Sequence, residues 1–107
     1  MRRRDDRFSE LVQRQLDLLE ADEPELLEEI DTAEADWNRS GREHAEEAYG
    51  DFQLVVDAIA DGLLELRDAY AQTLEDDKAD AYHRAFAAGV KRRFGRYPSL
   101  VSDVESA

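Results

Sequence analysis

Apolar residues recur along most of this chain at intervals of three and four, a ladder that predicts helices almost throughout. A first helix, about 6–21, carries Phe8, Leu11, Val12, Leu16 and Leu19 on one stripe. A second, about 22–40, aligns Leu26, Ile30, Ala33 and Trp37. The third, about 41–75, has the longest seam, running through Ala45, Ala48, Phe52, Val55, Ile59, Leu63, Leu66, Tyr70 and Leu74. A fourth, about 77–94, places Ala79, Tyr82, Phe86, Val90 and Phe94 on one face. No segment alternates with period two, so strands are not expected.

Punctuation residues set the boundaries. Pro24 belongs in a first turn, because its ring would clash with the carbonyl of Glu20 in any helix running straight through. Asp22 with Glu25, and Ser40 with Glu43, have the spacing of capping boxes, in which two side chains satisfy free amides at a helix start. Gly41 reads as the stop of the second helix. Gly50 and Gly62 fall inside the third; close helix approach is expected at Gly62, and a continuous helix is favoured over a break at Gly50. A turn is expected near Asp76 and Asp77. Lys91, Arg92 and Arg93 suit the negative end of the fourth helix, Gly95 suits the position after it, and Pro98 follows. Residues 98–107 read as a flexible tail, leaving residues 1–97 as a single helical domain.

The fold class is therefore all-α, a three- or four-helix bundle with a long third helix. Some 32 residues at 1.5 Å each make that helix roughly 48 Å long, about twice its sequence neighbours. A homodimer is the expected way to cover the surplus stripe, with Phe52, Val55, Ile59, Leu63, Leu66 and Tyr70 as the self-association seam.

Charge sharpens the picture. The 107 residues carry a net −13, distributed unevenly. Phe8 to Asp80 holds 23 acids against 5 bases; Met1 to Arg7 has an excess of two bases, and residues 81–97 contain 5 bases and no acid. Of the 14 bases only Lys78 and Lys91 are Lys. Such a balance resembles that of proteins from salt-loaded cytoplasm or a GC-rich genome. No run of apolar residues approaches the roughly 20 needed to cross a bilayer, and Phe8 to Glu20 is too polar for a signal-peptide core. A cytoplasmic protein without membrane contact is expected.

Candidate chemistry is sparse. With no Cys, thiolate nucleophiles, disulfides and sulfur-ligated zinc are excluded. A di-metal helical site needs Glu from facing helices and two Glu-x-x-His pairs; only Asp80 with His83 has that spacing, and the second His, His44, follows Gly41. One chain cannot complete the set, and only a site shared between chains is left open. Paired carboxylates such as Glu28 with Glu29, Glu46 with Glu47 and Asp76 with Asp77 read as surface charge. Neither His lies in a nucleophile signature and no Gly-rich phosphate loop is present, so no catalytic residue, metal or cofactor is assigned. Trp37 with Gly41 four residues later departs from the Trp-x-Gly of the secreted helical-hairpin family, and that family's properties are not carried over.

The expected function is a non-enzymatic protein–protein interaction or assembly module that presents an acidic helical surface. Its basic turn, Lys91, Arg92, Arg93 and Arg96, is the candidate docking or phosphate patch. The alternative is a nucleic-acid-linked factor, binding nucleic acid through that patch or a basic nucleic-acid-binding protein through the acidic body. A carboxylate-rich metal-binding bundle is the lesser alternative.

Overall fold

The computed structural model describes residues 6–107; residues 1–5 of the basic N-terminal flank lie outside the described residues. The described chain is helical throughout, with α1 (Asp6–Asp22), α2 (Pro24–Arg39), α3 (Ala45–Ala71), α4 (Asp76–Phe94) and α5 (Pro98–Ser106). No strand occurs among the described residues. α2 packs along α3, α1 along α4, and α5 lies across α3 and α4.

The break at Pro24 falls where the ring demands it, with Glu23 as the single residue between α1 and α2. Neither expected capping box forms. Asp22 ends α1, and α2 starts from Glu23 with no side-chain cap. Ser40 closes α2 instead of opening α3: its hydroxyl donates to the Trp37 carbonyl at 2.6 Å, and α3 begins only after a turn in which the His44 amide donates to Gly41 O. A hydroxyl can satisfy an orphan carbonyl at a helix end as well as an orphan amide at a start. The same device ends α3, where Thr73 Oγ1 donates to Tyr70 O at 2.7 Å. At 27 residues α3 is therefore about 40 Å long, shorter than its sequence suggested.

Two further expectations are corrected. α3 runs unbroken through Gly50 and Gly62, but a Cβ on Gly62 would meet nothing within 4 Å. The close approach is at Gly89, where a Cβ would lie 2.6 Å from Val12 Cγ1 and 3.6 Å from Leu16 Cδ1. There the missing side chain lets α1 settle onto α4. Residues 98–107 are not a loose tail. Gly95 keeps right-handed helical φ, −61°, and the chain turns within Gly95–Tyr97 before Pro98 opens α5. Pro is as much at home in the first turn of a helix as just beyond the end of one, and Leu100, Val101 and Val104 give α5 an apolar face that is buried.

The core joins Phe8, Val12 and Leu16 of α1, Ile30 of α2, Phe52, Val56, Ile59 and Leu63 of α3, Tyr82, Phe86, Val90 and Phe94 of α4, and the three α5 residues. Tyr82 is its polar centre. Its ring meets Phe8 edge-on at 5.6 Å and lies 4.8 Å from Tyr70, and its hydroxyl donates to Gln15 Oε1 at 2.8 Å. This bond satisfies both the buried hydroxyl and the buried Gln15.

Candidate interaction surface

The seam read as a dimer interface is used within the chain. Phe52, Ile59 and Leu63 are buried, and Val55, Leu66 and Tyr70 pack on the core. Phe52 stacks on Trp37 of α2 at 5.4 Å, and Tyr70 lies against Tyr82 of α4. α5 supplies cover for α3 that the sequence had left to a second chain.

The basic turn divides in two. Arg93 reaches α1, with Nη1 at 2.7 Å from Asp17 and 3.1 Å from Glu20. Burial of its guanidinium works against the charge, but the hydrogen bonds it donates to those two carboxylates hold it more firmly protonated than an ordinary Arg. Arg96 reaches α2, with Nη2 at 2.7 Å from Glu34 and Nη1 at 3.8 Å from Asp31, and lies over the Tyr97 ring at 4.7 Å. The Tyr97 hydroxyl donates to Asp31. Burial and that carboxylate push the Tyr97 hydroxyl well above its ordinary range, since its ionisation would place a second negative charge beside Asp31. Two of the four expected docking residues thus fasten the end of α4 to α1 and α2. Lys91 and Arg92 remain exposed, and Arg92 borders a small cleft with Gln13, Leu16, Gly89 and Arg93.

The acidic side is organised differently. Glu25, Glu28, Glu29, Thr32 and Asp36 follow one another along the outer face of α2, and with Ala33 of the same helix and Val55 of α3 they line an open groove of about 490 Å³. Charged walls thus stand over a small apolar floor. The cation beside this row, Arg39, is already paired with Asp36. At the α2–α3 turn the Trp37 and Tyr49 rings lie 4.8 Å apart, and Leu54 of α3 is 68% exposed. Periodicity could not have located the groove, because it depends on how α2 sits against α3.

Within the chain, no further ligand among the described residues joins Asp80 and His83. Asp80 is exposed, His83 turns its Nε2 inward where it has no hydrogen-bond partner, and His44 sits exposed at the start of α3. Among the described residues no group of three or more His, Asp or Glu stands where it could hold a metal ion, and no helix is long and apolar enough to cross a membrane. No family model matches the chain, and neither a curated protein nor a solved structure matches it.

Proposed function

We propose that this chain is a non-enzymatic protein–protein interaction module whose working surface is the acidic face of α2 and its groove with α3. The observation that carries the reading is the convergence of Glu25, Glu28, Glu29 and Asp36 on the small apolar floor formed by Ala33 and Val55. A partner suited to it has basic side chains flanking a few apolar ones, as on an amphipathic helix with Lys or Arg at helical spacing. The basic face of a nucleic-acid-binding protein has that chemistry too. Long-range attraction speeds encounter and the floor supplies register. Titrating a Lys- and Leu-patterned helical peptide into the labelled protein at low salt should shift the amides of Glu25–Asp36 and of Val55. Substituting both Glu28→Lys and Glu29→Lys should abolish those shifts. Shifts spread evenly over every acidic helix would remove the groove from the reading.

A second reading, a nucleic-acid contact, rests on exposed Lys91 and Arg92 in the stretch 81–97, which holds no acid. Each phosphate contact steepens the salt dependence of binding. Absence of binding to nonspecific duplex DNA at low salt eliminates it.

A further inference from the structure

The floor of the α2–α3 groove runs on along α3. Seven residues advance a helix by almost two full turns, so Val55 and Gly62 lie within about 20° of each other round α3. Exposed Ala58 falls between them and half-buried Leu66 one turn beyond. At Gly62 this strip is open, because a Cβ there would meet nothing within 4 Å. Glycine inside a helix weakens it relative to alanine, and no contact among the described residues uses the space its missing side chain leaves. Gly50 is equally open, but it falls about 140° from Val55 round the helix and so off the strip.

Acids stand on both banks of the strip. The stack of Phe52 on Trp37 fixes the antiparallel register of α3 and α2, and ten residues away from that pair, about 15 Å along each helix, Gly62 and Leu27 come level with one another. Glu25, Glu28 and Glu29 therefore border the strip from the α2 side at the height of Gly62. Exposed Asp51 and Glu65, each one turn from Val55 or Gly62, border it from the far side of α3. Between Pro24 and Leu66 the only bases are Arg39, already paired with Asp36, and Arg42, both at the α2–α3 turn.

We propose that the basic amphipathic helix taken up by this groove lies along α3 and crosses it at Gly62. Its apolar stripe meets Val55, Gly62 and Leu66, and its cations form two rows, one toward Glu25 and Glu28 and the other toward Asp51 and Glu65. The inference rests on the groove reading above and adds to it the track of the partner and a limit on size. Without a side chain at Gly62 the two helix axes approach to the lower end of the usual range of about 8–10 Å, which a bulky residue there would prevent.

Binding of a Lys- and Leu-patterned helical peptide to the whole chain at low salt tests this track. Gly62→Leu puts a side chain into open space, so the fold should be kept while the Kd rises about tenfold or more; Gly50→Leu should leave the Kd within about twofold of the parent. Gly62→Ala should raise the melting temperature and weaken binding about threefold, two changes of opposite sign that a damaged fold would not give. The crossing is overturned if Gly62→Leu binds like the parent while Glu28→Lys with Glu29→Lys loses binding, a result that keeps the groove and removes Gly62 from it. It is overturned too if Gly50→Leu weakens binding as much as Gly62→Leu. A parent chain that does not bind the peptide removes the groove reading and the crossing together.

Discussion

The α1–α4 pair and the α2–α3 pair are built from helices of similar amphipathicity and put them to different use. In the first, α4 presents Tyr82, Phe86 and Val90 as a fully buried row, Gly89 lets α1 close in, and Arg93 joins the two helices from outside. Little of that seam is left for another molecule. In the second, the shared core is Ile30, Phe52, Val56 and Ile59, while the outer surface keeps a row of carboxylates, an open groove and a solvent-exposed Leu54. The lesson is that net charge is a poor guide to where this protein can be approached. The bases near the end of α4 are partly consumed in holding the molecule together, whereas the acids of α2 are mostly left facing water.

This contrast can be broken at several points, beginning with the core. Phe86→Ala empties the centre of the first pair and should lower the unfolding free energy by about 3–5 kcal/mol in urea titration. Leu54→Ala on the outer face of α3 should change it by less than about 0.5 kcal/mol. Comparable losses at the two positions would mean that the α2–α3 surface is covered in solution, as a homodimer would do.

The buried Tyr82 hydroxyl gives an effect of the next size. Desolvation by burial, offset in part by its bond to Gln15, raises its pKa from 10.0 to about 12. A raised acid pKa stabilises the fold below the unfolded value, and that contribution disappears as pH climbs from 10 to 12. A shift of this size corresponds to about 2–3 kcal/mol. Tyr82→Phe should remove about half of the alkaline loss measured by denaturant titration across that window, leaving the comparable part that belongs to Tyr97, whose hydroxyl is raised further still. An unchanged profile would show that Tyr82 is already accessible to water.

Two glycines then give opposite signs. Gly89→Ala must push Val12 aside and should cost about 1–2 kcal/mol, overpacking offset by better helix propensity. Gly62→Ala, with open space around it, should gain up to about 1 kcal/mol from propensity alone. Thermal melting of both variants measures the difference, and a gain at Gly89 would show that the α1–α4 approach is looser than described.

The smallest effects are electrostatic. Arg93→Met removes a pair of partly exposed bridges and should cost no more than about 1 kcal/mol, less in high salt. Repulsion among the carboxylates of α2 and α3 should make the parent chain melt higher in 1 M than in 0.1 M KCl, and replacing Glu28 and Glu29 with Gln should flatten that slope. A slope of zero in the parent would disconnect the acidic surface from stability and remove the argument for salt adaptation.

Much of the helix content was legible because it is local. Pro24 forces its break through its own ring, and the stripes of α1 and α4 put Val12, Leu16, Tyr82, Phe86 and Val90 on the correct faces because period alone decides which side chains share a side. Hydroxyls were harder to read, since Ser40 can cap the helix behind it or the one ahead with equally good geometry. α5 was within reach, with Leu100, Val101 and Val104 at helical spacing, but nine residues cannot form a stable helix without a surface to lie on, and that surface belongs to α3 and α4. The basic turn was recognised as a cluster, yet its bonds to Asp17, Glu20, Asp31 and Glu34 run to residues more than sixty positions away in the chain.

Sequence by itself determined the helical class, the position of the sharpest break and which residues must face inward, because these follow from ring sterics, propensity and a period of 3.6 residues. Tertiary structure decided which glycine lets helices meet, which arginines are already engaged, and that a nine-residue segment at the end covers α3. Those outcomes depend on contacts between residues far apart in the chain, and no local pattern records which of several equally apolar or equally charged candidates will be brought together.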